Sequence, residues 1–143
     1  MCGLRVRGQL SAMSDAILLC EGLRKAFGEL VAVDDIGFSV AAGETYGLLG
    51  PNGAGKTTTI SMIVGILGRD SGTVRVAGHD HHVGNLTSKA LIGYVPQELA
   101  VYQDLTAREN LRFFARLHGL SRGDATARIT EVLDTVGLAD RAD

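Results

Sequence analysis

Between Thr45 and Leu67 the chain reads TYGLLGPNGAGKTTTISMIVGIL, and this order of residue types restricts the fold more than any other feature. Gly50 to Thr57 has the spacing G-x-x-x-x-G-K-[ST] of a loop that cradles phosphates. Glycines let the backbone curl so that the N–H groups of Asn52, Gly53, Ala54 and Gly55 approach an anion closely. A helix that starts straight after the loop aims its positive dipole end at the same anion. Lys56 adds a point charge with reach to the β- and γ-phosphates, and the Thr57 hydroxyl is placed to ligate Mg²⁺. Thr58 supplies a further hydroxyl for the α-phosphate. The flanks fit: Thr45–Gly50 is a short apolar run that predicts a strand buried on both faces. Ile60, Ile63, Val64 and Leu67 have the spacing of a helix over Thr58–Leu67. The pattern implies a bound nucleoside triphosphate.

The rest of the chain predicts an α/β fold around that unit. Ile17–Cys20 and Ile36–Val40 read as strands joined through the turn at Gly28-Glu29, and Gly43-Glu44 marks the approach to the loop strand. GTVRVA, Gly72–Ala77, alternates and is β-branched, and Leu91–Val95 is a short strand stopped by Pro96. Thr106-Ala107-Arg108-Glu109 is a capping box that opens a helix running through His118, with Leu111, Phe114, Ala115 and His118 on one side and Gly119 as its stop. A last helix over Asp124–Val136 carries Ala125, Ile129, Val132, Leu133 and Val136 as its buried stripe, ended by Gly137 and Leu138. The histidines of HDHH, His79 to His82, crowd between a strand and the turn-prone Gly84-Asn85. They invite a metal reading, which is set aside because no partner ligands at helix or hairpin spacing accompany them, and a turn or surface loop is expected instead.

Composition narrows the function classes. A net charge of −2 over 143 residues gives no electrostatic footprint for nucleic acid. Hydrophobic content of 45% and charged content of 21% are those of an ordinary globular domain. Cys2 and Cys20 have neither metal-ligand spacing nor a disulfide-rich setting, so a reducing cytoplasm is expected. No apolar run reaches bilayer length, so a membrane role is expected to come through a partner. Residues 1–12 read as a disordered leader or a mis-set start, since MSDAILL from Met13 is a more natural beginning.

With the loop, LIGYVPQ and LTARENLRFFARLHGL together, the chain from about Ile17 to its end resembles the N-terminal part of an ATP-binding-cassette (ABC) ATPase. It is most similar to the daunorubicin-type multidrug exporter branch. The resemblance implies a P-loop NTPase fold with an N-terminal antiparallel β segment, a loop at 50–58, a Q-loop around Gln97 and the start of a helical subdomain from about Thr106. It implies ATP and Mg²⁺ as ligands, with Phe27 stacking on adenine and Ala32 near the ring's edge. Gln97 takes the position of the glutamine that reaches Mg²⁺ and the attacking water, a role suited to a neutral amide beside phosphates. The implied partners are a transmembrane permease subunit and a second ATP-binding subunit in a head-to-tail dimer. Phe113 and Phe114 are candidates for the permease contact, with core packing expected for at least one. The implied location is the inner face of the cell membrane. Three elements of the family are not matched: a serine-glycine-glycine signature, a hydrophobic strand ending in Asp and Glu, and a switch histidine. The expectation is therefore an incomplete domain, marginally stable alone, that binds nucleotide without appreciable turnover. A non-catalytic nucleotide-binding remnant is the alternative.

Overall fold

A computed structural model describes residues 16–98 and 101–143, so the leader reading of residues 1–12 lies outside the described residues. The chain divides into two units, one ending at Tyr94 and the other running from Val95 to Asp143. The first is built on a four-stranded antiparallel sheet in the order β2-β1-β3-β4. Strands β1 (Ala16–Phe27) and β2 (Leu30–Ala41) extend well beyond the predicted cores. They meet at Phe27 and Leu30 across the Gly28-Glu29 turn, with Gly28 at φ 60. Strand β3 (Ser71–Val76) pairs with β1 from Leu18–Val76 to Arg24–Ser71. A tight turn leads from β3 to β4 (His79–Asp80), and its residues Ala77 (φ 47) and Gly78 (φ 78) both adopt positive φ. That is the pair of conformations a type I′ hairpin requires.

Helix α1 (Lys56–Ile63) packs on this sheet. Its buried face carries Thr59 and Met62, while Ile60 is exposed. Of the predicted stripe, Ile63 and Leu67 pack against the core and Ile60 does not, because the helix starts where the glycine loop releases it and that start sets its phase. It also ends sooner than predicted. Gly65, at φ 72, donates to the Met62 carbonyl and Ile66 donates to the Ser61 carbonyl, which closes a Schellman turn. Cys20, Leu23, Val33, Ile36, Met62, Val74 and Val76 form the core, with Ile63, Leu67 and Ile92 against it. Burial pushes the Cys20 thiol up to about 12, so it packs as a small hydrophobe.

Two predicted strands join no ladder among the described residues. Thr45–Gly50 is largely exposed rather than buried on both faces, with Leu49 at 82%, and its Tyr46 ring stacks on Phe38 at 4.7 Å and 6°. An apolar run becomes a strand only where neighbours pair its backbone groups, and β1 to β4 pair with one another. Leu91 and Ile92 donate to the carbonyls of Ser88 and Lys89, so they finish the turn of α2 (Leu86–Lys89) rather than begin a strand.

The histidine cluster also departs from the prediction. His79 and Asp80 form β4, and His81 is fully buried. Its Nδ1 lies 2.7 Å from Ser88 Oγ. Ser88 Oγ also donates to the Asn85 carbonyl at 3.2 Å, and His81 Nε2 has no hydrogen-bond partner among the described residues. A Cβ on Gly65 would lie 2.8 Å from that nitrogen. Arg69 holds the segment from the other side, donating to the carbonyls of Gly72 (2.9 Å) and His81 (2.7 Å).

The second unit is helical. Helix α3 (Ala107–Leu117) has the predicted capping box, with Thr106 Oγ1 accepting from Glu109 N–H and the Glu109 carboxylate accepting from Thr106 N–H. Helix α4 (Arg122–Thr135) starts earlier than predicted because Ser121 caps it. Ala125, Ile129 and Leu133 are buried with Ala142, and Leu111 and Ala115 of α3 pack against them. His118 and Val136 are exposed rather than on the buried stripes, since each is the C-cap where helical spacing ends. Gly137 (φ 67) and Leu138 close α4 by a Schellman turn, as Gly65 closes α1. Buried Asn110 ties the approach to α3: its Oδ1 accepts from Tyr102 N–H at 2.8 Å, and its Nδ2 donates to the carbonyls of Tyr102, Leu105 and Thr106.

Burial, then Lys89, Arg69 and His82, hold the His81 pKa below 6.5, with Asp80 opposing. The unfolded chain then binds the proton more readily, so this contribution to stability is complete above pH 6.5 and is lost as pH falls toward the folded value. Thermal melting between pH 7 and about 5 should fall more steeply for the wild type than for His81→Gln. Asp70 and Asp143, held below 3.8 by their partners, titrate outside that window. Separately, Asn110→Ala strips partners from Tyr102 and Leu105 and should cost about 1–2 kcal/mol in denaturant unfolding.

Candidate functional site

The loop after Thr45–Gly50 has the backbone its sequence implies. Gly53 and Gly55 take φ 80 and 82, left-handed values that suit glycine. Gly55 is the N-cap of α1 and supplies no side chain to the first turn, so the helix N-terminus is left uncapped by protein. A Cβ on Gly55 would clash with the Ala32 carbonyl oxygen, with Val33 Cγ2 beside it. The loop therefore sits backbone against backbone on β2. Lys56 Nζ donates to the carbonyls of Gly50 (2.6 Å) and Pro51 (2.7 Å), which lays its ammonium across the mouth of the loop. Thr57 is exposed at the junction, and Thr58 is half-buried in the first turn.

Beside the loop lies a cavity of about 130 Å³, lined by Ala32, Asp34, Leu48, Gly53, Ala54 and Lys56 among others. It joins the glycine loop to the hairpin strand β2, so the two meet in one site within the first unit. Ala32 thus lines the same space as the loop. Phe27 is half exposed at the tip of β1, opposite Leu30, and is not part of the core. Gln97 belongs to the second unit and is exposed.

Some residues that build the site were not anticipated. Thr59 is buried and its hydroxyl donates to the Gly55 carbonyl at 2.9 Å, anchoring the helix start. The triple Thr57-Thr58-Thr59 held the only hint. Asp70 binds Lys25 Nζ at 2.8 Å and the Ala26 N–H at 2.7 Å, a pairing 45 residues apart that no local pattern announces. Among the described residues no helix is long and apolar enough to cross a membrane, and no cluster of three metal-ligating side chains is present.

Comparison with known proteins gives one answer. The ABC transporter family matches residues 33–143. The linearmycin resistance ATP-binding protein of Bacillus subtilis is 51% identical over 88% of this chain and 40% of its own length. The Nod factor export ATP-binding protein I of Paraburkholderia xenovorans is 40% identical over 92% of this chain and 43% of its own. The daunorubicin resistance ATP-binding protein of Streptomyces coeruleorubidus is 38% identical over 90% and 40%. A solved ATP-binding subunit of an ABC transporter superposes with a TM-score of 0.72 at 31% identity, over 88% of this chain and 52% of that one. The chain thus spans roughly two-fifths of the length of these curated relatives. With its glycine loop, its antiparallel hairpin and this match over most of its length, the chain belongs to the ABC transporter family, on the side of its ATP-binding proteins.

Proposed function

We propose that the loop Gly50–Thr58 binds the triphosphate of ATP with Mg²⁺, and that the whole protein couples ATP binding and hydrolysis to export through a separate membrane permease. The observation that carries this reading is the loop itself, which combines left-handed glycines, an uncapped helix start and the Lys56 ammonium. The residues fit a phosphate chain, because the loop offers N–H donors and a cation and no carboxylate of its own. Thr57, exposed at the junction, is the proposed Mg²⁺ ligand from this unit. Gln97 is proposed to complete the metal shell and orient the attacking water, and its exposure leaves it accessible for that role. Phe27 is the proposed adenine platform, supported by its half-exposed ring outside the core.

The printed functions of the relatives, two of resistance and one of export, favour an exporter over an importer. A head-to-tail partner subunit and placement at the inner membrane face follow from the same reading. In the second unit the exposed rings of Tyr102 and Phe113 meet edge to face at 4.9 Å and are the proposed contact for the permease, with half-buried Phe114 behind at 5.4 Å.

Calorimetric titration of the intact chain with Mg-ATP tests the site. Lys56→Ala should weaken binding by a factor of about ten or more, since it removes a charge-assisted contact to phosphate. Wild-type affinity in that variant would refute the reading. Gly55→Ala forces a Cβ onto the Ala32 carbonyl at positive φ, and should lower stability by about 2 kcal/mol while also abolishing binding.

A further inference from the structure

Lys25 and Phe27 lie two residues apart on β1, on one face of the strand, and Lys25 Nζ sits 5.6 Å from the centroid of the Phe27 ring. That distance is within cation–π range. The ammonium is not free to wander. It donates to Asp70 Oδ1 at 2.8 Å, and Asp70 Oδ2 accepts from the Ala26 N–H at 2.7 Å. The Asp70 N–H in turn donates to the Arg24 carbonyl at 2.9 Å. One residue on the segment after α1 therefore grips three successive residues of β1 just ahead of Phe27. The Lys25 side chain is 17% exposed, so the pair is well sheltered on the lysine side. The bonds from Lys25 and from the Ala26 N–H hold the Asp70 carboxyl below its usual range, which keeps it charged at neutral pH.

A cation over one face of an aromatic ring occupies that face. It also draws π density toward itself, so the opposite face is less negative and repels a stacked base less. We propose that Lys25, pinned by Asp70, is a positioning residue for the nucleobase: it covers one face of Phe27, fixes the ring's angle and leaves the other face to adenine. The proposal rests on the reading of Phe27 as the stacking residue. Lys25 touches the ring and not the phosphates, so its effect should appear with a nucleotide and vanish with a bare polyphosphate.

The test is calorimetric titration of the intact chain and its variants with Mg-ATP and with Mg-tripolyphosphate, which lacks base and sugar. Phe27→Leu should weaken ATP about ten-fold and leave tripolyphosphate unchanged. Lys25→Met should weaken ATP about three-fold, again without effect on tripolyphosphate. Lys25→Arg, which keeps the charge over the ring, should restore the wild-type value. Asp70→Asn keeps an acceptor for the Ala26 N–H but releases the lysine, and should follow Lys25→Met. In the Phe27→Leu background, Lys25→Met should have no further effect.

Wild-type ATP affinity in Lys25→Met, or a loss that persists without Phe27 or extends to tripolyphosphate, would overturn the positioning role while leaving the stacking reading intact. If Phe27→Leu itself leaves the ratio of ATP to tripolyphosphate affinity unchanged, the stacking reading falls and this proposal with it.

Discussion

The first unit depends on one close approach, the backbone of Gly55 against the carbonyl of Ala32. Through it the phosphate loop leans on a rigid hairpin rather than hanging free between a strand and a helix. The contact fixes the loop on β2 and sets where α1 begins, and so decides that Thr59 and Met62 face the core while Ile60 faces outward. It also brings β2 residues into the wall of the cavity beside the loop. A side chain at position 55 would push these two backbones apart, and phosphate cradle and hairpin would no longer share a wall. Preorganisation here is a matter of glycine geometry, with the Thr59 hydroxyl on the Gly55 carbonyl as a further anchor.

The long-range ties around that contact are polar and sparse. Asp70 links the segment after α1 to β1, and Arg69 links the same segment to β3 and to the His81 backbone. Both lie in the short stretch between helix and strand, so two neighbouring residues hold opposite sides of one connection. In the second unit a single amide, Asn110, does the equivalent work by tying Tyr102 and Leu105 to the start of α3. The Arg69 and Asn110 ties join backbone to part-buried side chains, where a hydrogen bond is worth more than it would be in the open, whereas Asp70 is exposed.

How much of this was legible in the sequence depends on how local the cause is. The phosphate loop could be read because glycine, lysine and threonine at fixed spacing have few other uses. The capping box at Thr106 and Glu109 and the Schellman turn at Gly137 were legible for the same reason, since each is decided within six residues. Thr45–Gly50 was misread because apolar character gives a propensity to pair but cannot supply a partner. His81 was misread because four polar residues in a row look like surface, and nothing nearby announces that Ser88 will meet one of them inside. Asp70 was invisible for a similar reason: its partners lie on a strand at the other end of the unit. Phe27 stood between the two cases, since alternation puts it on a face without saying what that face meets.

The pairing of β1 with β2 slips register four times along its length, and Asp35 of β2 is held at φ 50. Among the described residues β2 is the outermost strand on its side of the sheet. Slips of this kind bend and over-twist a strand, and Asp34 and Asp35 add two charges in its middle. A long edge of this sort would otherwise template the addition of a foreign strand, the first step of aggregation. The same slips and charges make the outer edge of β2 a poor match for any straight partner strand, so the irregularity of the hairpin that faces the phosphate loop also guards its other side.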